Sequence, residues 1–161
     1  MIMNGPLYAL TLTAAVGSAA MGGVFHGFSS FVMKGLGRLP AAQGAAAMNS
    51  INVTAVTAPF MAPLFGTALL CLGLGIFAIV SWSEAYAVYL LLGALLYLVG
   101  TIGTTAAYHV PRNDALAAAD PDSPEGQRLW ATYLTEWTRA NHVRTVTGIA
   151  AAVPFALALT R

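Results

Sequence analysis

The chain has 161 residues, 58% of them hydrophobic and only 8% charged, where soluble domains carry roughly a quarter charged. With mean hydropathy +0.72 and formal net charge +1, this is the composition of a single-domain integral membrane protein. It excludes a nucleic-acid binder, which needs a basic face. Cys71 is the only cysteine, so an intrachain disulfide and a thiolate-cluster metal site are excluded and Cys71 reads as a small apolar filler.

The first apolar run, about residues 7–33, is long enough to cross a bilayer at about 1.5 Å per residue. Its start carries no basic side chain and the run outlasts the core of a cleaved signal, so it reads as a retained first span. Ser18, Gly22, His26, Ser29 and Met33 share a face at helical spacing. Small residues there let helix backbones approach, so this face is expected to look inward and to bury His26. Residues 34–52 form the first loop, with Lys34, Arg38 and Pro40, and Ala41 to Met48 fit a short interfacial helix. Asn49 or Asn52 would cap the second span, residues 53–82. Pro59 and Pro63 fall in its first half, where a kink lining a cavity and a plain proline bend are both open.

The connection Ser81-Trp82-Ser83-Glu84 is short, which makes spans two and three antiparallel neighbours. The third span, residues 85–110, has a polar side with Tyr97, Thr101, Thr104, Thr105 and Tyr108, and Pro111 predicts its end near His109 or Val110. A wet loop with four acidic residues and three nearby prolines follows, from Arg112 to Glu125. Residues 126–142 then form an amphipathic cytoplasmic segment that runs into the fourth span, residues 143–159. The fold class is therefore all-α: an antiparallel four-helix membrane bundle whose last span is extended by a cytoplasmic amphipathic helix.

Lys34, Arg38, Arg112, Arg128, Arg139 and Arg144 fall on the side of loops one and three, against Arg161 alone on the other. By the positive-inside rule those loops are cytoplasmic and both termini lie outside, in an inner or plasma membrane. On a helix, Trp130, Tyr133, Trp137, Asn141, Arg144 and Gly148 make one stripe, with His142 on its flank. Polar and charged groups at the threshold of a span mark a functional site by default. The alternative is an interfacial anchor, with Trp at headgroup level and Arg snorkelling. All three histidines, His26, His109 and His142, lie in the cytoplasmic half, together with Ser29, Asn49, Asn52, Tyr108 and Asn113.

Three chemistries suit these residue types. His26, His109 and His142 would serve copper, iron or zinc, or ligate haem in a cavity between helices. Neither has support from spacing. The third is cofactor-free acid–base work, in which a histidine removes a proton while Arg144 and the Asn side chains stabilise an oxyanion.

The run Val110-Pro111-Arg112-Asn113-Asp114-Ala115-Leu116, followed by Trp130 and then Trp137-Thr138-Arg139-Ala140-Asn141-His142-Val143-Arg144-Thr145, resembles the signature of the anthrone-oxygenase-like family of small four-span membrane proteins. The resemblance implies a monooxygenase that converts a flat phenolic or anthrone-like substrate with molecular oxygen and no added cofactor. It carries over Asn113, Trp137, Asn141, His142 and Arg144; His26 and His109 are not part of the pattern. In the implied mechanism His142 deprotonates the substrate. Arg144, with Asn113 or Asn141, holds the enolate, which reacts directly with oxygen. Trp137, Tyr133 and Tyr108 form aromatic walls, and Ser29 and Asn52 complete the substrate contacts. The competing reading is a non-enzymatic four-span protein that binds a lipid, quinone or haem, or serves as a subunit of a membrane complex or homo-oligomer.

Overall fold

The computed structural model describes Met3 and residues 5–161. These residues form five helices and no strand: α1 Gly5–Leu36, α2 Ala41–Ala55, α3 Ala58–Val80, α4 Ala87–Ala118 and α5 Pro124–Ala158. Three of them, α1, α3 and α4, are long and apolar enough to cross a membrane. Their outward side chains are large and aliphatic or aromatic, with Phe31 68%, Leu69 70%, Val80 80% and Val99 66% exposed. Faces of that kind match a lipid solvent rather than water. The fourth expected span does not reach the same standard. Residues 143–159 are fewer than the ~20 of a full crossing and include Arg144 near their start. Along its length α5 packs on α1 and α4.

The α1–α5 contact is made by backbone. A Cβ on Gly148 would stand 2.9 Å from Gly22 Cα, and one on Gly22 would stand 2.6 Å from the Ile149 nitrogen. Two glycines facing each other thus set the helix separation, as expected for the small-residue face of the first span. Ser18, Gly22, Ser29 and Met33 are buried on it, but His26 is exposed. Steps of four residues advance 40° beyond a full turn, so a stripe drawn by that spacing drifts. The buried face follows Met21, Gly22, Phe25 and Ser29, and His26 lies beside it.

Three boundaries differ from the sequence expectation. The short interfacial helix is longer, running to Ala55, and the chain breaks at Val56 and Thr57 before α3 begins. Pro59 therefore sits in the first turn of α3, where its missing N–H is harmless, and only Pro63 lies inside that helix. Helix α4 does not stop before Pro111. It passes through wide π turns at Leu96–Gly103 and Thr105–His109 and continues to Ala118. Such a turn spaces the carbonyls differently from an α-helix and relieves the clash a proline ring makes with the preceding turn. The wet loop shrinks to residues 119–123. Ser123 caps α5, its hydroxyl accepting from the Gly126 nitrogen at 3.0 Å.

Two apolar clusters fill the interior. One, with Met21, Phe25, Leu64, Cys71, Leu74, Leu90, Tyr97 and Phe155, lies among α1, α3, α4 and α5. The other, with Met33, Met48, Leu116, Trp130, Tyr133 and Trp137, lies where α2 covers α5 and the end of α4. Trp130 is buried against α2, where a Cβ on Gly44 would meet its ring at 2.8 Å. The aromatic stripe is thus core, not an anchor at the headgroups.

Candidate functional site

A cavity of about 570 Å³ opens between these clusters. Phe25 and Phe28 of α1, Met48 and Ile51 of α2, Val56 at the break, and Phe60 and Leu64 of α3 give it an apolar wall, to which Asn52 and Thr57 add polar side chains. From α4 come Thr105, His109 and Asn113, and from α5 Trp137 and Arg144. The three α4 residues are four apart and so rise along one side of the helix. Thr105 and His109 bound a π turn, a local widening found often at functional sites. A second such stretch, Phe28–Val32, borders the cavity from α1.

Arg144 is buried at 6% exposure, and its hydrogen bonds go only to neutral groups. Its Nε and Nη2 both donate to Asn141 Oδ1, at 3.1 and 2.7 Å, and Nη1 donates to Thr105 Oγ1 at 3.3 Å. The guanidinium lies 4.2 Å from the Phe25 ring centroid and 5.0 Å from that of Trp137. Among the described residues no carboxylate pairs with it.

Asn141 is fully occupied. Its Nδ2 donates to the Phe25 carbonyl at 2.7 Å and to Ser29 Oγ at 2.8 Å. Thr145 spends its one proton on the Asn141 carbonyl at 3.0 Å, so the 3.3 Å contact between Ser29 and Thr145 has Ser29 as donor. This network ties α5 to α1 and fixes the arginine fork.

His109 is 1% exposed and lies edge-on to Trp137, with ring centroids 4.7 Å apart. Neither of its ring nitrogens makes a hydrogen bond, although the Ala140 carbonyl is near enough to act on the ring. An imidazole buried with both nitrogens unpaired is costly, and a ligand in the cavity it lines would supply the missing partner. Asn113 Oδ1 accepts from Tyr133 Oη at 2.7 Å and Trp137 Nε1 at 3.0 Å, which leaves its amide nitrogen with bonding capacity to spare. The Asn52 amide nitrogen is likewise buried without a hydrogen bond, close to Tyr133. Burial pushes the Tyr133 phenol above its ordinary value, so it stays a neutral donor to Asn113.

The residues singled out in the sequence are distributed as follows. Arg144, Asn113, Trp137 and Asn52 line the cavity. Asn141, Ser29 and Tyr133 are buried behind it, supporting those that do. Tyr108 faces elsewhere: Arg112 lies 3.4 Å over its ring and pairs with Glu136 at 3.1 Å. His142 is exposed, on the side of α5 that continues as Val146, Ile149 and Val153, each also exposed. The 100° that separates it from Asn141 carries it away from the cavity. His26 is exposed on α1, so the three histidines do not converge. Among the described residues no group of three His, Cys, Asp or Glu side chains is placed to hold a metal ion. The cavity role of His109 was hidden in the sequence because Pro111 argued for a helix end there. A four-residue spacing from Thr105 through His109 to Asn113 was the available signal.

Together these features define a helical membrane protein with a largely apolar, partly open pocket, lined by a buried cation and an unpaired imidazole. The chain belongs to the anthrone oxygenase family, whose model matches residues 59–154. That stretch contains His109, Asn113, Trp137, Asn141 and Arg144, whereas the α1 and α2 walls lie outside it. No curated protein and no solved structure matches the chain significantly.

Proposed function

We propose that this protein is a membrane-bound oxygenase for a flat phenolic or anthrone-like substrate, with His109 as the base and Arg144 as the oxyanion clamp. The observation that carries this is Arg144: a buried cation without a carboxylate partner, facing an apolar cavity beside an unpaired imidazole. Family membership supports the oxygenase class. His109 takes the base role that the motif alone suggested for His142, because His109 lines the cavity and His142 does not.

An anthrone methylene is acidic because its carbanion delocalises onto the carbonyl oxygen. His109 accepts the proton, and Arg144 holds the resulting enolate oxygen where low dielectric makes the contact strong. The electron-rich carbon reduces oxygen and forms the new C–O bond, giving a hydroperoxide. Loss of water then leaves a carbonyl at that carbon, so one oxygen molecule yields one quinone carbonyl and one water. The electrons come from the substrate, and the reading invokes no added cofactor. Trp137, Phe25 and Phe28 offer faces to a flat ring system. The bundle is taken as antiparallel, with α5 as a fourth crossing, loops one and three cytoplasmic and both termini outside.

The test is oxygen uptake by the purified protein with an anthrone. The expected outcome is turnover in wild type and a loss of about 10²–10⁴ in rate for His109→Ala, the usual worth of a general base. Arg144→Lys keeps the charge but loses the planar fork and should be impaired. No uptake in wild type with several anthrones would leave the pocket as a binding module for a lipid or quinone.

A further inference from the structure

A buried arginine is ordinarily satisfied by a carboxylate, because a desolvated cation without a countercharge is costly. At this position the partner is an amide. Asn141 Oδ1 receives the two donors of the guanidinium fork at 3.1 and 2.7 Å, the edge that would grip a carboxylate bidentately. Thr105 Oγ1, which spends its own proton on the Thr101 carbonyl at 2.7 Å, receives the third contact. The aromatic faces of Phe25 and Trp137 offset part of the charge. The titratable side chains that act on Arg144 are His109 and Tyr133, and neither is an acid that ionises at neutral pH. Arg144 is therefore positioned as an ion pair would position it, while its positive charge stays uncompensated.

We propose that Asn141 is a specificity-determining positioning residue: by being an amide and not a carboxylate, it makes the cavity select ligands in their anionic form. The inference rests on the same cavity as the proposed function and adds the ionisation state that the pocket demands. A ligand whose oxygen bears negative charge supplies the missing countercharge; the same ligand protonated does not. An opposite charge at contact distance lowers the pKa of an acid by about 1–3 units. A phenol or enol held here should ionise well below its pKa in water.

The test uses alizarin, a dihydroxyanthraquinone whose absorption moves to longer wavelength when a phenol ionises, and which needs no oxygen chemistry to report binding. Titration of the wild-type complex in detergent should show the bound dye ionising about 1–3 units below the free dye. Asn141→Asp and, independently, Thr105→Asp each place a carboxylate against the guanidinium. Both should still bind the neutral dye, with its pKa returned to the free value or above. Thr105→Asp leaves the amide network to α1 intact, so it keeps the test open if Asn141→Asp does not fold. A bound-dye pKa equal to that of the free dye in wild type overturns the inference even if oxygen uptake is observed. An unchanged shift in a folded Asn141→Asp or Thr105→Asp protein overturns it as well. A lowered wild-type pKa that every folded variant abolishes supports it, even if no anthrone is oxidised.

Discussion

At the scale of single residues, the two histidines of the second half divide sharply. His109 is buried against Trp137 with both nitrogens unpaired, whereas His142 tops an outward stripe of valine and isoleucine. The sequence favours His142 because it sits in a motif; the structure favours His109 because it lines the cavity. His142→Ala should accordingly retain the wild-type rate in the oxygen-uptake assay, and His109→Ala should lose it. A reversed result would mean that His142 reaches the substrate by a route outside this cavity. Asn113 provides a second residue-scale case. Its carbonyl oxygen orients Tyr133 and Trp137 at once, so Asn113→Asp would keep both acceptor bonds but bring a carboxylate to the cavity wall. Binding of an anionic dye should weaken while that of the neutral dye persists, as read by the absorption titration.

At the scale of elements, the interface of α1 and α5 decides whether the site exists. Phe25 and Ser29 of α1 hold Asn141, and Asn141 holds Arg144, so the helix spacing set by Gly22 and Gly148 is transmitted to the guanidinium. Gly148→Ala places a methyl 2.9 Å from Gly22 Cα, where backbone cannot yield. Overpacking of this kind costs about 1–3 kcal/mol, and the melting temperature in detergent should fall accordingly. Gly23→Ala, one residue along, meets nothing within 4 Å and should leave it unchanged. The small-residue face of α1 was legible from spacing alone, because close backbone approach admits few residue types. The exposure of His26 was not, since a quarter-turn of drift is invisible until the partner helix is placed. Pro111 misled for a related reason: a proline rule written for α-helices does not anticipate π turns just upstream.

At the scale of the whole molecule, the membrane orientation remains the property that composition argues most directly. In a Cys71→Ala background, single cysteines at Glu84 and at Asp122 should label from opposite sides of the membrane, Asp122 from the cytoplasm. Labelling of both from one side would break the proposed topology. The amino-acid sequence by itself determined that this is a helical membrane protein. It also determined that Trp130, Tyr133, Trp137, Asn141, Arg144 and Gly148 share one stripe of a helix, and that the second half carries the family's motifs. Those properties follow from local periodicity and side-chain chemistry, which need no partner to be read. Only the tertiary structure decided which polar groups meet. Whether Arg144 finds a carboxylate or an amide, whether His109 or His142 turns inward, and whether a cavity separates the two apolar clusters all depend on how helices distant in sequence are rotated against one another. A rotation of 100° exchanges neighbouring residues between a pocket and the lipid, and packing between helices fixes that angle.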